Sequence, residues 1–474
     1  MTSENSRKMT YRIKKNFNTQ NFKRPLYIFL WLAFTIFLFY IFPIKVLAVE
    51  SDLKDEKEKE KKVLTLNECI NLSLRIHPEL KSANALKNAA GAQLTQTIST
   101  YYPQVSFRSI YNRAVSHNVV VSSGVIAQRG TNNSDAYSTT MSLNQNIYDF
   151  GRTHYDVMAA KENLNARKYD ILTTSDGIIL DIKKNYYEAI AAEKVLEVNI
   201  ETVSQQELHL KQAIGFYRVG RRSKIEVTKA EVDLAKAKLE LIKSENAVKL
   251  SRVTLANSIG LSESFDYALD SEIRFVELKM DIDRALLYAR AHRPEILKMK
   301  ANQGYYKAII AGAKADWYPT LTGSANYGYN DSNFVFDQIS WGWGLALNFD
   351  VFTGGRRNAI IKESKENMVS ISALSERLWQ DIYLEVQQAY LNLVDARRRI
   401  TMLEKSLDQA RENFSLAQAR YEVGLGDNLE FTDARLALQQ SKTDLIKAIL
   451  DYQMARSSLE KAVGLTIVRK KKAE

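Results

Sequence analysis

The stretch from Trp379 to Tyr421 most constrains what this chain can become. Every seventh residue is large and apolar: Trp379, Val386, Leu393, Ile400, Leu407, Phe414 and Tyr421. Three residues after each of the first six come Ile382, Ala389, Ala396, Leu403, Ala410 and Ala417. This is an a/d heptad seam, and small Ala at most d positions lets a neighbouring helix approach closely. No Pro or Gly interrupts the chain from Arg356 to Val423. At 1.5 Å per residue such a helix is about 100 Å long, roughly three times a bilayer's hydrocarbon core. It is too polar to cross one. Taken alone, the seam describes an ordinary long coiled coil.

The start of the chain reads as a targeting segment. Arg7, Lys8, Arg12, Lys14, Lys15, Lys23 and Arg24 precede an apolar run from Leu26 to Phe42, and Val46-Leu47-Ala48 offers small residues for cleavage after Ala48. An uncleaved membrane anchor is the alternative, because the run is long for a signal. Residues 1–48 hold eight Lys or Arg against one Glu, so of the net +11 only +4 belongs to the remainder. A charge that small over so long a chain gives no case for nucleic acid. Cys69 is the single cysteine, which excludes an internal disulfide and a cysteine metal cluster, and it is expected to pack as a small hydrophobe. The charged run Asp52–Lys62 reads as a solvated linker.

One pattern occurs twice. Ile76-His77-Pro78-Glu79 returns as His292-Arg293-Pro294-Glu295, and Tyr102-Pro103 as Tyr318-Pro319, both prolines offset by 216. Tyr148-Asp149-Phe150-Gly151-Arg152 returns as Phe352-Thr353-Gly354-Gly355-Arg356, Tyr217-Arg218-Val219-Gly220 as Tyr421-Glu422-Val423-Gly424, and Gly260-Leu261 as Gly464-Leu465, offset by 204. The first copy therefore carries 12 extra residues between Pro103 and Gly151, which are expected in a loop. Each copy predicts a short helix capped by Thr65 or Asp281, a second helix after the Pro, a β-hairpin, a long helix, a Val-Gly turn and a last helix. In the first copy the long helix has a weaker seam: Ile182, Ala189, Leu196, Val203, Leu210, Tyr217. The organisation expected is a signal peptide over 1–48, a charged linker over 49–62, a first repeat over 63–261 with its hairpin at 103–150, a linker over 262–278, a second repeat over 279–466 with its hairpin at 319–353, and a basic tail over 467–474.

The hairpins decide the class. Trp341, Trp343, Leu345, Leu347, Phe349 and Val351 alternate with Gly342, Gly344, Ala346, Asn348 and Asp350. Leu321, Ala325, Tyr327 and Tyr329 alternate with Thr320, Thr322, Ser324 and Asn326, and Tyr137, Met141, Leu143 and Ile147 with Ser138, Thr140, Ser142 and Asn146. Val105, Phe107 and Tyr111 alternate less cleanly. Four strands of about 10 residues, apolar on one face, fit a transmembrane barrel; a soluble hairpin covered by another element is the alternative. Four strands cannot close, and a membrane tolerates no open sheet, so the chain must oligomerise. Two copies give eight strands and three give twelve; the small inner-face residues favour three.

These features together resemble the TolC family of outer-membrane efflux proteins over about residues 63–466: the duplicated unit, the Tyr-Pro before each hairpin, the Phe-Thr-Gly-Gly-Arg after it and the Tyr-x-Val-Gly turn. The fold class implied is mainly α with a membrane β-barrel, a long coiled-coil tunnel joined to 12 strands shared by three chains. The resemblance implies an outer-membrane duct with a periplasmic tunnel, serving efflux or type I secretion. Its implied partners are a second and third copy, a periplasmic adaptor, an inner-membrane transporter and outer-membrane lipid. An exported or membrane-anchored coiled-coil structural protein without a pore is the rival reading.

No catalytic constellation is present, and neither a metal nor a cofactor is expected. The five histidines, at 77, 117, 154, 209 and 292, show no ligand spacing and read as ordinary polar residues. Asn132-Asn133-Ser134 marks a polar loop. Ser223-x-x-Glu226 and Asp427-x-x-Glu430 read as capping boxes. The resemblance adds a second role. In the family, carboxylates six and nine residues after the turn Gly close the tunnel tip, networked with the turn Tyr and an Arg two residues past the Gly. That matches Glu226, Tyr421, Glu430 and Asp433 here. The Arg position is Gly426, a departure, while Arg221 and Arg222 stand in the first turn. Val219, Gly220, Val423 and Gly424 are the implied adaptor-contacting turns.

Overall fold

The computed structural model describes residues 63–122, 125–262, 268–270, 280–332 and 339–465, with the backbone alone over 116–132. The signal segment with Ala48, the charged linker and the basic tail lie outside the described residues.

Each repeat opens with two short helices. In the first, β1 (Val63–Leu64) leads into α1 (Leu66–Ile76) and α2 (Pro78–Ile98). Thr65 forms the expected capping box: its hydroxyl accepts from the Glu68 N–H, and the Glu68 carboxylate accepts from Thr65 N at 2.9 Å. Pro78 sits at the first turn of α2, where its missing N–H costs nothing. The hairpin β2 (Gln104–Ser122) and β3 (Val125–Tyr148) follows, then the long α3 (Arg152–Arg218), a turn, and α4 (Lys224–Ile259). The second repeat runs through β4 (Ala268–Leu269), α5 (Ile282–His292), α6 (Pro294–Ala315), β5 (Thr320–Asp331), β6 (Ile339–Asn348), α7 (Arg356–Glu422) and α8 (Asn428–Val463). Asp281 precedes α5 without a side-chain cap bond. Within the segment expected to be a linker, β4 pairs parallel with β1, and the Tyr186 hydroxyl donates to both Leu64 O and Asp270 O.

The two long helices are of equal length, 67 residues each, and each packs along the last helix of its own repeat. Every seam position of α7 is buried or half-buried. Two matching cores form where the short helices meet the long ones. Cys69, Ile70, Ile179, Ile182, Ala189 and Ile259 build the first; Ala285, Ala289, Ile382, Val386, Tyr452 and Val463 build the second. Cys69 is wholly buried, and burial pushes its thiol up to about 11, so it packs as a hydrophobe.

The seam of α3 needs correction. Ile182 and Ala189 are buried, but toward the turn the buried stripe becomes Asn199, Thr202, Gln206, His209 and Ala213, while Tyr217 is exposed. A polar stripe needs polar partners. α8 supplies them: Gln439 donates to Asn199 at 3.3 Å, Lys442 meets Glu201 at 2.6 Å, and Asn428 meets His209 at 3.2 Å.

The four hairpin strands form one antiparallel sheet in the order β2-β3-β5-β6. The apolar alternation holds its face: Leu321 opposes Leu347, Ala325 opposes Trp343, and Leu143 opposes Ala325. Trp343 and Leu345 on that face are 75% and 63% exposed. The 12 extra residues of the first hairpin do not form a loop. They lengthen β2 to 19 residues and β3 to 24, and the part of β3 that precedes Tyr137 pairs with β2 alone. Asn133 therefore lies in a strand, opposite Val115.

Candidate functional site

The two Val-Gly turns lie at the ends of α3 and α7 remote from the sheet. Gly220 (φ 74) and Gly424 (φ 83) both adopt the left-handed conformation that lets the helix end and the chain reverse. Around them apolar side chains stand in the open: Val219, Ile225, Val423, Leu425 and Leu429 are all exposed.

Neither capping box forms: Ser223 and Asp427 precede α4 and α8 without side-chain cap bonds, and the carboxylates that would complete the boxes meet arginines instead. Glu226 pairs with Arg222 at 3.2 Å, and Glu430 with Arg420 at 3.2 Å.

Arg222 is the centre of the site. It bonds Glu226, donates to Gly426 O at 2.9 Å, and lies 5.3 Å from the centre of the Tyr421 ring. It thus ties the first turn to the second. Of the two arginines in the first turn, the structure brings Arg222 to Tyr421; Arg221 is exposed. Gly426 could not carry an arginine in this geometry. A Cβ there would lie 2.9 Å from Tyr421 N and 3.0 Å from Arg420 C, in backbone that cannot give way.

Tyr421 is buried, and burial first, then Glu226, raises its hydroxyl above its ordinary range while Arg222 opposes them. It stacks on Phe431 at 5.1 Å. His209 closes the other side, 5.3 Å from Tyr421 and 4.9 Å from Phe431. Burial, and after it the Arg435 charge, lowers His209 to about 4. Arg435 is itself 2% exposed, beside Asp233 at 3.8 Å and over Phe431 at 5.5 Å. Sequence reasoning missed His209 and Arg435. The internal repeat offered no signal for the histidine: with the offset of 204, His209 corresponds to Asn413, another polar residue.

The four expected gate residues separate into two groups. Glu226 and Tyr421 meet through Arg222. Glu430 and Asp433 sit exposed on α8, and Asp433 has no ion-pair partner among the described residues.

The chain is a duplicated helical unit that carries a four-stranded sheet with one exposed apolar face and a charged turn at its far end. The chain belongs to the outer membrane efflux protein family, whose sequence profile matches residues 69–261 and 286–465. It is 23% identical over 411 residues to outer membrane protein TolC of Vibrio cholerae, covering 84% of this chain and 90% of the relative. It is 21% identical over 405 residues to TolC of Escherichia coli, covering 82% and 80%. The Campylobacter jejuni CmeC outer membrane channel superposes with a TM-score of 0.73 at 15% identity, covering 88% of this chain and 90% of that one. The protein is an outer-membrane efflux channel with a periplasmic tunnel. The reading as a coiled-coil structural protein without a pore is set aside by this membership.

Proposed function

We propose that three chains close one 12-stranded barrel in the outer membrane, and that its lumen continues into a tunnel walled by the long helices. The observation that carries this is the sheet itself. Among the described residues β2 and β6 each have a strand on one side only, and the face bearing Trp341, Trp343, Leu345 and Leu347 is exposed. Unpaired edges are untenable in hydrocarbon, and an apolar face of this kind is untenable in water. Joining β2 of one chain to β6 of the next resolves both. The tunnel would be passive, driven by an inner-membrane transporter through a periplasmic adaptor. The exposed apolar turns at Val219–Gly220 and Val423–Gly424 are the surface offered to that adaptor. The Arg222 latch and the carboxylates Glu430 and Asp433 form the gate, with Glu226 and Tyr421 holding the latch. Light scattering of the detergent-extracted protein is expected to give a trimer; a monomer would overturn both barrel and duct.

A further inference from the structure

We infer that the groove between the start of α3 and the end of α6 is a binding site for an anionic phospholipid headgroup of the membrane's periplasm-facing leaflet. The inference rests on the reading of the sheet as membrane-embedded.

The groove holds about 330 Å³ and is lined by Phe150, Tyr155, Lys307, Ile310, Lys314 and Tyr318, with two alanines in its floor. Its level is fixed by topology. Tyr148 opposes Leu321 on the apolar face of the sheet, two residues before the chain turns into α3. The Phe150 ring meets Tyr148 edge-on at 4.8 Å, and Tyr318 stacks on Phe150 at 5.0 Å. The three rings carry the lipid-facing surface down from the last strand residues to the first helix turn. Aromatic rings at this level mark the membrane–water interface.

Immediately beyond the rings stand Lys307 and Lys314, two turns apart on one face of α6. Both are exposed, and neither has an ion-pair partner among the described residues. The neighbouring Asp316 is already engaged, with Arg152 at 3.1 Å. Two uncommitted ammonium groups below an aromatic wall, over an apolar floor, complement a phosphate with acyl chains rising along the sheet. A zwitterionic headgroup would bring its own cation to the lysines and gain less.

The internal repeat shows that the fold does not require these residues. With the offset of 216, Lys307 and Lys314 correspond to Gly91 and Ile98 in the first copy. Phe150 corresponds to Gly354, and the two share a left-handed backbone, φ 53 and φ 60. The second repeat uses glycine for that conformation. The first holds a phenylalanine there, in a conformation L side chains rarely adopt. The ring is kept at a conformational cost, and the groove is what it walls.

Native mass spectrometry of the intact detergent-extracted channel, titrated with phosphatidylglycerol and separately with phosphatidylethanolamine, tests this. Phosphatidylglycerol should bind preferentially, and K307Q/K314Q should weaken it by about 30-fold, from about fivefold for each lysine. Phe150→Gly, which removes the ring at a backbone suited to glycine, should also weaken it. Equal binding of the two lipids, or equal phosphatidylglycerol binding by wild type and K307Q/K314Q, would overturn the site. So would its displacement by millimolar inorganic phosphate, which would make this a free-anion site. Conductance of K307Q/K314Q in planar bilayers separates the two failures: a conducting variant with unchanged lipid binding removes the site and leaves the barrel standing.

Discussion

Arg222 and Gly426 form a matched pair. The backbone of the second turn leaves no room for a side chain at 426, and the arginine that reaches Tyr421 comes from the first turn. Replacing Arg222 with Gln removes a cation from Tyr421 and Glu226, a half-buried cluster where lost charged hydrogen bonds cost about 1–3 kcal/mol. The resting conductance of Arg222→Gln in planar bilayers should exceed that of wild type severalfold. Gly426→Arg, which restores the family residue, should fail to rescue it and should lower thermal stability on its own. A closed, stable Arg222→Gln/Gly426→Arg channel would show that the latch is portable between turns. His209 gives the same tip a dependence on pH. Its folded value, about 4, lies below the ordinary 6.5, so the unfolded or opened tip binds the proton more readily. Stability is full above pH 6.5 and is lost as pH falls toward 4, by at most about 3 kcal/mol. Burial sets the sign and the Arg435 charge reinforces it, while Asn428 and then Asp233 favour protonation less strongly. Hydrogen exchange of residues 206–222 should quicken over that range, and His209→Gln should flatten the dependence.

At the level of elements, legibility followed the chemistry of the buried face. The α7 seam could be read because its buried residues are apolar, so periodicity and burial coincide. The lower half of α3 could not, because its buried stripe is Asn199, Thr202, Gln206 and His209, and apolar periodicity looks past polar residues bonded across an interface. The extra hairpin residues were misplaced for a related reason. Polar alternation without an apolar face looks like loop, yet β2 and β3 continue their ladder through it. The cluster at the turns was legible only in part: the turn pattern pointed to Tyr421 and Glu226, but nothing in sequence distinguished Arg222, which bonds both turns, from Arg221. The sheet register is the element-scale claim most open to test. Leu345 lies on the exposed apolar face opposite Gly323, and Ala346 on the other face opposite Thr322. Leu345→Arg should cost about 2–4 kcal/mol near the bilayer midplane and reduce assembled channel in the outer membrane. Ala346→Arg should leave assembly intact. Equal losses from the two would mean the faces are exchanged.

At the scale of the whole molecule, the proposed gate would combine two kinds of closure. The Arg222 cluster binds one turn of a chain to the other, within a single chain. Glu430 and Asp433 point away from it, exposed on α8, and three-fold symmetry would gather six carboxylates around one axis. Such a ring attracts cations and favours divalent ones. The two positions should not contribute equally. Glu430 is partly neutralised by Arg420 at 3.2 Å, whereas Asp433 has no such partner among the described residues. A divalent cation added on the periplasmic side should therefore block ion flow. Asp433→Asn should relieve most of the block, and Glu430→Gln alone should relieve little. Arg420→Gln, by freeing Glu430, should tighten it. If these carboxylates serve only the dipole of α8, neutralising them would weaken that helix by about 1 kcal/mol or less and leave conductance unchanged. Single-channel recordings with and without the divalent cation discriminate the two, and an unaltered block in the Glu430→Gln/Asp433→Asn channel would return both residues to the helix. The Arg222→Gln channel supplies the cross-check: with the latch released the tip should widen, and the same cation should then block less because the carboxylates stand farther from the axis.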